Sequence, residues 1–381
     1  MIERDITAKA LSLWKQYPVL TITGPRQSGK TTLVRHVFPE AEYVNLEDPE
    51  AHELARRDVK GFLARHPAPA VFDEVQYTPD LLRAIQAEVD ATGGVSRYVL
   101  TGSHQPALQN AVSQSLAGRT GLLELLPFSI RELAAAGVAK SRDEWLLDGF
   151  MPRLYDSGIA PSDLYRDYFL TYVERDVRQL ANLRNLSAFE TFVRLLAGRV
   201  GQLLNAESLS NDTGVPVATV RGWLSLLEAS YLIHPLRPYY RNFGKRFVKA
   251  PKIYFTEPGL AAYLLGLRTV GQVATHPLAG NLFENLVVAE MLKSRRNRGE
   301  ADDLHFMRTS NGVEADIVVE EGGQLDLYEV KAAETFRADM AANLEKLSRL
   351  VPGVGRRTVV FAGATVGEVR GTRFVRFTEM P

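Results

Sequence analysis

Cysteine is absent from all 381 residues of the sequence, which excludes disulfides, thiolate metal sites and cysteine nucleophiles. No apolar run approaches the ~20 residues of a membrane-spanning helix, and the charged N-terminal residues contain no apolar core of signal-peptide length. An excess of charge is also absent, because 45 basic residues balance 45 acidic residues, so any nucleic acid would have to bind local basic patches. We therefore expect a soluble, cytoplasmic protein.

A glycine-rich loop with the spacing G-x-x-x-x-G-K-T occupies residues 24–31, between a short apolar strand and a helical stretch. This order is the context of a phosphate-binding P-loop, in which backbone N–H groups near Gly24 and Gly29 would bind phosphate. Lys30 would bridge the β- and γ-phosphates, and the Thr31 hydroxyl would ligate Mg²⁺. The sequence thus predicts an ATP site. Its nucleotide-binding residues are Gly24, Pro25, Arg26, Gln27, Ser28, Gly29, Lys30, Thr31 and Thr32.

Two later apolar strands end in polar residues that would complete such a site. Asp73 ends the first and would hold the Mg²⁺ shell, while Glu74 would orient or deprotonate the attacking water. Ser103 ends the second, and we expect it to sense the γ-phosphate. Strands near residues 19–23, 42–46, 69–73 and 97–101 alternate with helical patterns, which predicts an α/β fold with a doubly wound parallel sheet. Ligands bind at the carboxyl ends of such strands.

Several segments together carry a family resemblance: GPRQSGKTT, AVFDEVQ, YVLTGS and LAGRT, then YVERDV and FEN…EADIVV…YEVK. On these segments the chain resembles the AAA-type predicted ATPases of bacteria and archaea that carry a C-terminal domain of unknown function. The resemblance implies ATP hydrolysis by a homo-oligomer, which could be a ring. It also implies that Arg119 or Arg175 serves the nucleotide of a neighbouring subunit by neutralising charge on the transferred phosphoryl group. Each arginine could instead form a salt bridge.

A helix, a short helix, a glycine turn and a third helix follow between residues 187 and 230, which is the helix-turn-helix arrangement. The next segment, residues 236–252, has six basic residues, no acidic residue and interleaved aromatic residues. We predict a winged helix with a basic wing that binds the backbone of nucleic acid, with DNA the first choice. The alternative is a winged helix that binds protein. The six basic residues are Arg237, Arg241, Lys245, Arg246, Lys249 and Lys252.

Gly322 and Gly323 predict a two-residue hairpin turn, because both central positions of such a turn need a positive φ. The resulting pairing places Asp316 opposite Glu329, and Glu314 lies on the same face of the sheet. Opposed carboxylates destabilise a hairpin unless a cation lies between them. Hard oxygen donors of this kind suit Mg²⁺ or Mn²⁺.

Asp316 and Glu329, together with Lys331, form the D…E-x-K constellation of restriction-endonuclease-like nucleases, in which Lys331 would orient the metal-bound water. Glu284, an acid in an otherwise apolar helix, is the candidate third metal ligand, and Glu290 is the second choice. The usual motif has a proline before the aspartate, where this chain has alanine. Such a domain could also bind nucleic acid or protein without cleaving anything.

The length of the chain exceeds that of a single core, and we divide it into four segments. We predict an AAA-type P-loop ATPase core at 1–135, a helical lid or linker at 136–185, a winged-helix domain at 186–255 and a restriction-endonuclease-like α/β domain at 256–381. Residues 121–185 read as mostly helical. The leading hypothesis is an ATP-hydrolysing protein that acts on nucleic acid. The alternative is a nucleotide-gated protein-interaction switch whose nuclease-like domain is catalytically silent.

Overall fold

The fold is that of a computed structural model, which describes residues 1–103, 111–112, 114–172, 185–239 and 248–380. The chain forms two compact units. The first unit comprises Met1–Phe128, Ala229–Tyr231 and Lys293–Ala301. The second unit comprises Ser129–Glu228, Leu232–Leu292 and Asp302–Pro381.

The first unit is built on a parallel five-stranded sheet in the order β2-β3-β4-β1-β5. Its strands are β1 Val19–Gly24, β2 Glu42–Asn45, β3 Ala70–Asp73, β4 Tyr98–Ser103 and β5 Thr120–Glu124. The four strands predicted from sequence are therefore confirmed. β5 is a correction, because residues 121–185 were expected to be mostly helical and the first four of them are in a strand. β5 lies at the sheet edge with one exposed face, and its pairing with β1 is between residues about a hundred positions apart.

Helices pack on both faces of this sheet, because alternate residues of a strand point to opposite faces. Phe72 and Tyr98 stack in the core on one face, with ring centroids 5.5 Å apart, and Leu20 and Val71 belong to the core on the other. The helices of this unit are α1 Thr7–Trp14, α2 Lys30–Val37, α3 Pro49–Arg57, α4 Val59–Arg65 and α5 Pro79–Thr92.

The second unit contains an eight-stranded sheet in the order β12-β13-β11-β10-β9-β8-β6-β7. Its strands are β6 Ile233–Pro238, β7 Lys252–Phe255, β8 Leu304–Arg308, β9 Glu314–Glu321, β10 Gln324–Lys331, β11 Val354–Phe361, β12 Gly367–Val369 and β13 Thr372–Arg376. The β9–β10 hairpin turns at Gly322 and Gly323, whose φ angles are 58° and 81°. Its register pairs Gln324 with Glu321 and Tyr328 with Ile317, as the sequence predicts.

The helices of the second unit include the three of the expected helix-turn-helix, which are α10 Leu186–Ala197, α11 Ala206–Thr213 and α12 Val217–Ala229. The strands after them, β6 and β7, belong to the same sheet as the later strands, because β6 pairs in parallel with β8. The expected boundary between residues 255 and 256 therefore does not separate two sheets, and the winged helix stays a prediction. The helices that lie wholly or mostly in this unit are α6 Ile130–Ala135, α7 Arg142–Asp148, α8 Pro152–Asp156, α9 Pro161–Tyr168, α10 Leu186–Ala197, α11 Ala206–Thr213, α12 Val217–Ala229, α13 Pro258–Leu264, α14 Val270–Thr275, α15 Ala279–Asn297 and α16 Ala342–Leu350. None of the described helices is long and apolar enough to cross a membrane.

Candidate functional site

The glycine-rich loop joins the carboxyl end of β1 to the first turn of α2 and leaves no room for a side chain at its start. A Cβ added to Gly24 would lie 2.1 Å from the carbonyl oxygen of Leu125. Gly29 has a φ of 91° and caps α2, whose N-terminus is thereby directed at the loop. Ser28 is fully buried, and its hydroxyl has no hydrogen-bond partner among the described residues. An unsatisfied donor beside a helix N-terminus fits an anionic ligand such as phosphate.

Lys30 is buried inside the loop, with 5% of its surface exposed. Its ammonium donates to the carbonyl oxygens of Gly24 at 3.1 Å and Pro25 at 2.8 Å. Burial lowers the pKa of Lys30, while the nearby carboxylates of Glu74 and Asp73 oppose that shift. A buried ammonium held by neutral carbonyls is poised to bind an anion, because a phosphate would supply the opposite charge.

Asp73, at the end of β3, accepts hydrogen bonds from three hydroxyl groups. Thr31 donates to Oδ2 at 2.6 Å and Tyr43 donates to the same oxygen at 2.5 Å. Thr101 donates to Oδ1. Burial and then the hydrogen bond to Asp73 raise the pKa of Tyr43, which keeps the phenol protonated as a donor. The predicted Mg²⁺ ligands Thr31 and Asp73 are thus in direct contact, and both offer hard oxygen atoms that fit this ion.

Glu74 has a φ of 58°, which is uncommon for a residue with a side chain. Its Oε2 accepts from the backbone N–H of Ser103 at 3.1 Å and from the side-chain amide of Gln76. The Ser103 hydroxyl lies 3.3 Å from the same oxygen. The structure therefore brings Ser103, at the end of β4, onto the carboxylate expected to activate water.

Sequence reasoning missed four residues that shape this site. Tyr43 and Thr101 bind Asp73, and Gln76 binds Glu74. Arg4 is buried and donates to the Ser28 carbonyl at 2.9 Å and to the Leu126 carbonyl at 2.6 Å. Thr101 could have been found, because it precedes Ser103 at the end of a buried strand. Gln76 lies only two residues after Glu74, so it too could have been found locally, whereas the roles of Tyr43 and Arg4 come from contacts between distant segments.

The remaining residues expected at this site have different surroundings. Thr32 lies in the first turn of α2, and a guanidinium nitrogen of Arg26 lies 3.5 Å from the Tyr77 hydroxyl. Gln27 has a φ of 62°. Arg119, the residue before β5, forms a bidentate ion pair with Asp90, with contacts of 2.5 and 2.8 Å. Arg175 lies outside the described residues, and the role of either arginine toward a neighbouring subunit stays a prediction.

A second cluster of charged residues lies in the second unit, at one end of the β9–β10 hairpin. The Glu284 carboxylate on α15 accepts from the Lys252 ammonium at 2.7 Å and from the Tyr254 hydroxyl at 2.5 Å. Lys252 also forms an ion pair with Glu314 and lies 3.6 Å from Asp316. Burial, followed by the Asp316 charge, raises the pKa of Glu284 to about 7.

Glu329 lies on the other side of Asp316 in the same cluster. Burial and then the Asp316 carboxylate raise the pKa of Glu329 to about 8. Its Oε1 accepts from the Lys331 ammonium at 2.6 Å. Its Oε2 is buried and has no hydrogen-bond partner in the part of the chain that the structure describes. The Asp316 Oδ2 accepts from the Val330 N–H at 2.8 Å, so the hairpin ladder ends just before this pair of acids.

The acids nevertheless do not surround one ion. Within the described ranges, no three acidic or histidine side chains converge closely enough to hold a metal. The carboxylate of Glu284 already accepts hydrogen bonds from Lys252 and Tyr254. Glu290, the second choice, accepts from the backbone N–H of Ile130 at 2.7 Å and caps α6.

The expected nucleic-acid contacts are also corrected at one position. Lys252 was expected to face nucleic acid, but 3% of its surface is exposed and its ammonium pairs with Glu284 and Glu314. Arg237 is exposed and lies 3.0 Å from Glu228, and Lys249 is exposed. Arg241, Lys245 and Arg246 lie outside the described residues.

Residues 16–134 match the AAA domain family, residues 139–270 match a domain of unknown function (DUF8612), and residues 279–379 match another (DUF4143). The chain is 31% identical over 337 residues to an uncharacterised protein of Mycobacterium tuberculosis, covering 87% of this chain and 74% of that one. It is 23% identical to an uncharacterised protein of Haemophilus influenzae, covering 77% and 79% of the two chains. A solved Walker-type ATPase of Pyrococcus abyssi has a TM-score of 0.45 and 16% identity, covering 69% of this chain and 96% of that one.

Proposed function

Because this chain belongs to the family of AAA-type ATPases that carry C-terminal domains of unknown function, we propose that it binds and hydrolyses ATP in the first unit. One observation carries the proposal: the Thr31 hydroxyl binds the Asp73 carboxylate at 2.6 Å, beside the buried ammonium of Lys30. These are the groups that a phosphate chain and its cation need in one place.

Each side chain of the loop would then have a separate task. Lys30 would leave the carbonyls of Gly24 and Pro25 and neutralise the β- and γ-phosphate oxygens. Thr31 and Asp73 would hold Mg²⁺, which supplies positive charge to the phosphate oxygens when bound. The backbone N–H groups at the start of α2 would bind the remaining phosphate oxygens.

Glu74 would accept a proton from the attacking water. In the present structure its carboxylate is held by Ser103 and Gln76. A γ-phosphate near Ser103 would compete for those donors and free the carboxylate for water. Ser103 would in this way report the presence of ATP to Glu74, which is how we interpret its expected role as a sensor.

ATP binding and release of phosphate by the purified chain test this proposal. Lys30→Ala should abolish ATP binding, because it removes the buried ammonium. The exposed Lys60 on α4 provides the matched control, and Lys60→Ala should bind and hydrolyse ATP like the wild type. Full-rate hydrolysis by Lys30→Ala would refute the proposal.

A second activity, metal-dependent cleavage of nucleic acid in the second unit, is favoured by the unsatisfied Oε2 of Glu329. The Asp316 charge helps raise the pKa of Glu329, so a cation between them would be stabilising. Asp316, Glu329 and the expected third ligand Glu284 would hold Mg²⁺ or Mn²⁺, which lowers the pKa of a bound water, and Lys331 would orient that water. The other possibility is that this domain binds without cutting.

Cleavage of linear and single-stranded DNA with Mg²⁺ or Mn²⁺, with and without ATP, separates these possibilities. Lys331→Ala should abolish cleavage, whereas Lys346→Ala, at an exposed lysine of α16, should not. Lys30→Ala would show whether ATP drives the reaction. An intact ATPase without cleavage under any condition would favour the nucleotide-gated interaction protein.

Contact with nucleic acid would come from the basic segment that joins β6 to β7. Changing Arg241, Lys245 and Arg246 together to alanine should weaken DNA binding and reduce its dependence on salt, because fewer counterions are released. Unchanged affinity would favour a protein partner. Arg237 and Lys249 are exposed and would extend this surface.

We further propose that a cytoplasmic homo-oligomer, which could be a ring, places Arg119 or Arg175 at a neighbouring nucleotide. Arg119 would have to leave Asp90 to do so. Mixing Lys30→Ala subunits with Arg119→Ala or Arg175→Ala subunits tests this, since only a trans-acting arginine allows the mixture to recover hydrolysis.

A further inference from the structure

Lys252 begins β7 and has 3% of its surface exposed, although its side chain carries a charge. Its ammonium lies 2.7 Å from Glu284 and 3.6 Å from Asp316, and it also pairs with Glu314. These three acids come from two different elements, α15 and β9. The ammonium is therefore the point on which they converge.

The cluster opens into a cavity of about 490 Å³, so it can be reached by a small ion from solvent. Besides Lys252 and the three acids, the lining includes Gln202, Asn281 and Arg308. The Arg308 guanidinium lies 3.3 Å from the second oxygen of Glu314. Two of the acids that face the cavity, Glu284 and Asp316, are also among the expected metal ligands.

Charge balance gives Lys252 a specific role in this cluster. The ammonium lies within ion-pair distance of Glu284, Asp316 and Glu314, whose negative charges balance its positive charge. A divalent cation bound by Glu284 and Asp316 would lie beside this ammonium. Adjacent positive charges repel each other in a buried site, so the divalent cation and the ammonium would compete for the same carboxylates.

We propose that Lys252 is the resident counter-cation of the cluster, and that a divalent cation binds Glu284 and Asp316 only when the Lys252 ammonium is displaced. The inference rests on the proposed metal site of the second unit and adds a competitor to it. It also explains why the three expected ligands do not converge in the structure: Lys252 draws Glu284 to itself.

Mn²⁺ binding by the nucleotide-free chain, followed by the electron paramagnetic resonance of free Mn²⁺, tests the competition. Lys252→Met keeps an unbranched side chain that is one atom shorter and removes its charge, so it should bind Mn²⁺ at least about tenfold more tightly than the wild type. Lys252→Arg keeps the charge and should bind no better than the wild type. Lys346→Ala controls for the loss of a lysine elsewhere. Adding Asp316→Asn to Lys252→Met should abolish the gain.

Thermal unfolding gives a second readout that does not need enzymatic activity. Lys252→Met leaves the carboxylates without their counter-cation, so its midpoint should fall, and Mn²⁺ should raise it more than it raises that of the wild type. If the variant folds only in Mn²⁺, that rescue supports the proposal, and failure of Mn²⁺ to rescue it overturns the proposal.

The outcomes distinguish failure of the proposed role of Lys252 from failure of the proposed metal site. Equal Mn²⁺ affinity in the wild type and Lys252→Met overturns the role of Lys252 and leaves the metal site standing. Absence of Mn²⁺ binding in a folded Lys252→Met protein overturns the metal site itself. Tighter binding by Lys252→Arg also overturns the proposal, because the charge would still be present.

Discussion

The hydroxyl of Tyr231 lies 3.2 Å from the hydroxyl of Thr23, the residue that precedes the first glycine of the phosphate loop. Tyr231 has a φ of 55°, a left-handed conformation that is unfavourable for a residue with a side chain. Burial, followed by the carboxylate of Glu124, raises the pKa of Tyr231. Polar contacts at the end of β1 stabilise this left-handed conformation of Tyr231.

Removing that hydroxyl should weaken the first unit. Tyr231→Phe keeps the ring but removes the hydroxyl that contacts Thr23, so the free energy of unfolding should fall by about 1–2 kcal/mol. Urea unfolding of the whole chain measures the change. Tyr77→Phe is the control, because Tyr77 is 40% exposed and its hydroxyl can be replaced by water. A Tyr231→Phe protein as stable as the control would contradict the prediction.

Gly24→Ala should abolish ATP binding and reduce the free energy of unfolding by about 1–3 kcal/mol. The reason is the 2.1 Å approach of the new Cβ to the Leu125 carbonyl. Gly94→Ala separates this clash from conformational strain, since Gly94 also has a positive φ but no atom within 4 Å of its added Cβ. That variant should lose stability and still bind ATP. Calorimetric titration with a non-hydrolysable ATP analogue would show the difference.

Glu74 and Ser103 should differ in how strongly they affect catalysis. Glu74→Gln removes the base and should reduce kcat for ATP about 10²–10⁴-fold with little change in ATP affinity. Ser103→Ala should reduce kcat less than tenfold, because the backbone N–H of Ser103, 3.1 Å from the carboxylate, remains. Equal losses in the two variants would mean that the Ser103 hydroxyl has a catalytic task of its own.

Stability in the absence of metal should fall as the pH rises toward 8. The pKa of Glu329 is raised to about 8 in the folded protein, against about 4.3 for an unfolded chain. Between these values the folded state holds a proton that the unfolded state has released, so raising the pH favours unfolding. Thermal midpoints measured in EDTA from pH 5 to 8.5 should show this slope. Glu329→Gln should flatten it, whereas the exposed Glu368→Gln should not.

Local rules predicted much of the first unit and of the late hairpin. The glycine spacing and the polar strand ends place Lys30, Thr31, Asp73 and Glu74, because each depends on a few neighbouring residues. The hairpin register follows from Gly322 and Gly323 in the same way, since a two-residue turn determines which residues pair.

Lys252 could not be placed by such rules. In the sequence it ends a basic segment, so its charge suggested contact with nucleic acid. In the fold it begins β7, a buried strand that pairs with β6 and forms hydrogen bonds with Glu284 and Asn285 of helix α15. The parallel pairing of β6 with β8 joins residues almost seventy positions apart, and neither strand carries a signal for its partner.

The first unit is discontinuous in sequence, and this has a consequence for synthesis of the chain on the ribosome. Its last segment, Lys293–Ala301, includes Arg296, whose guanidinium lies 2.9 Å from Glu124 on β5. A nascent chain that has emerged only as far as residue 135 has every strand of the parallel sheet but lacks both Arg296 and Tyr231. The first unit would thus be completed only after about three quarters of the protein has been translated, and a fragment that ends at residue 134 would lack the Arg296 contact with β5 and the Tyr231 contact with β1.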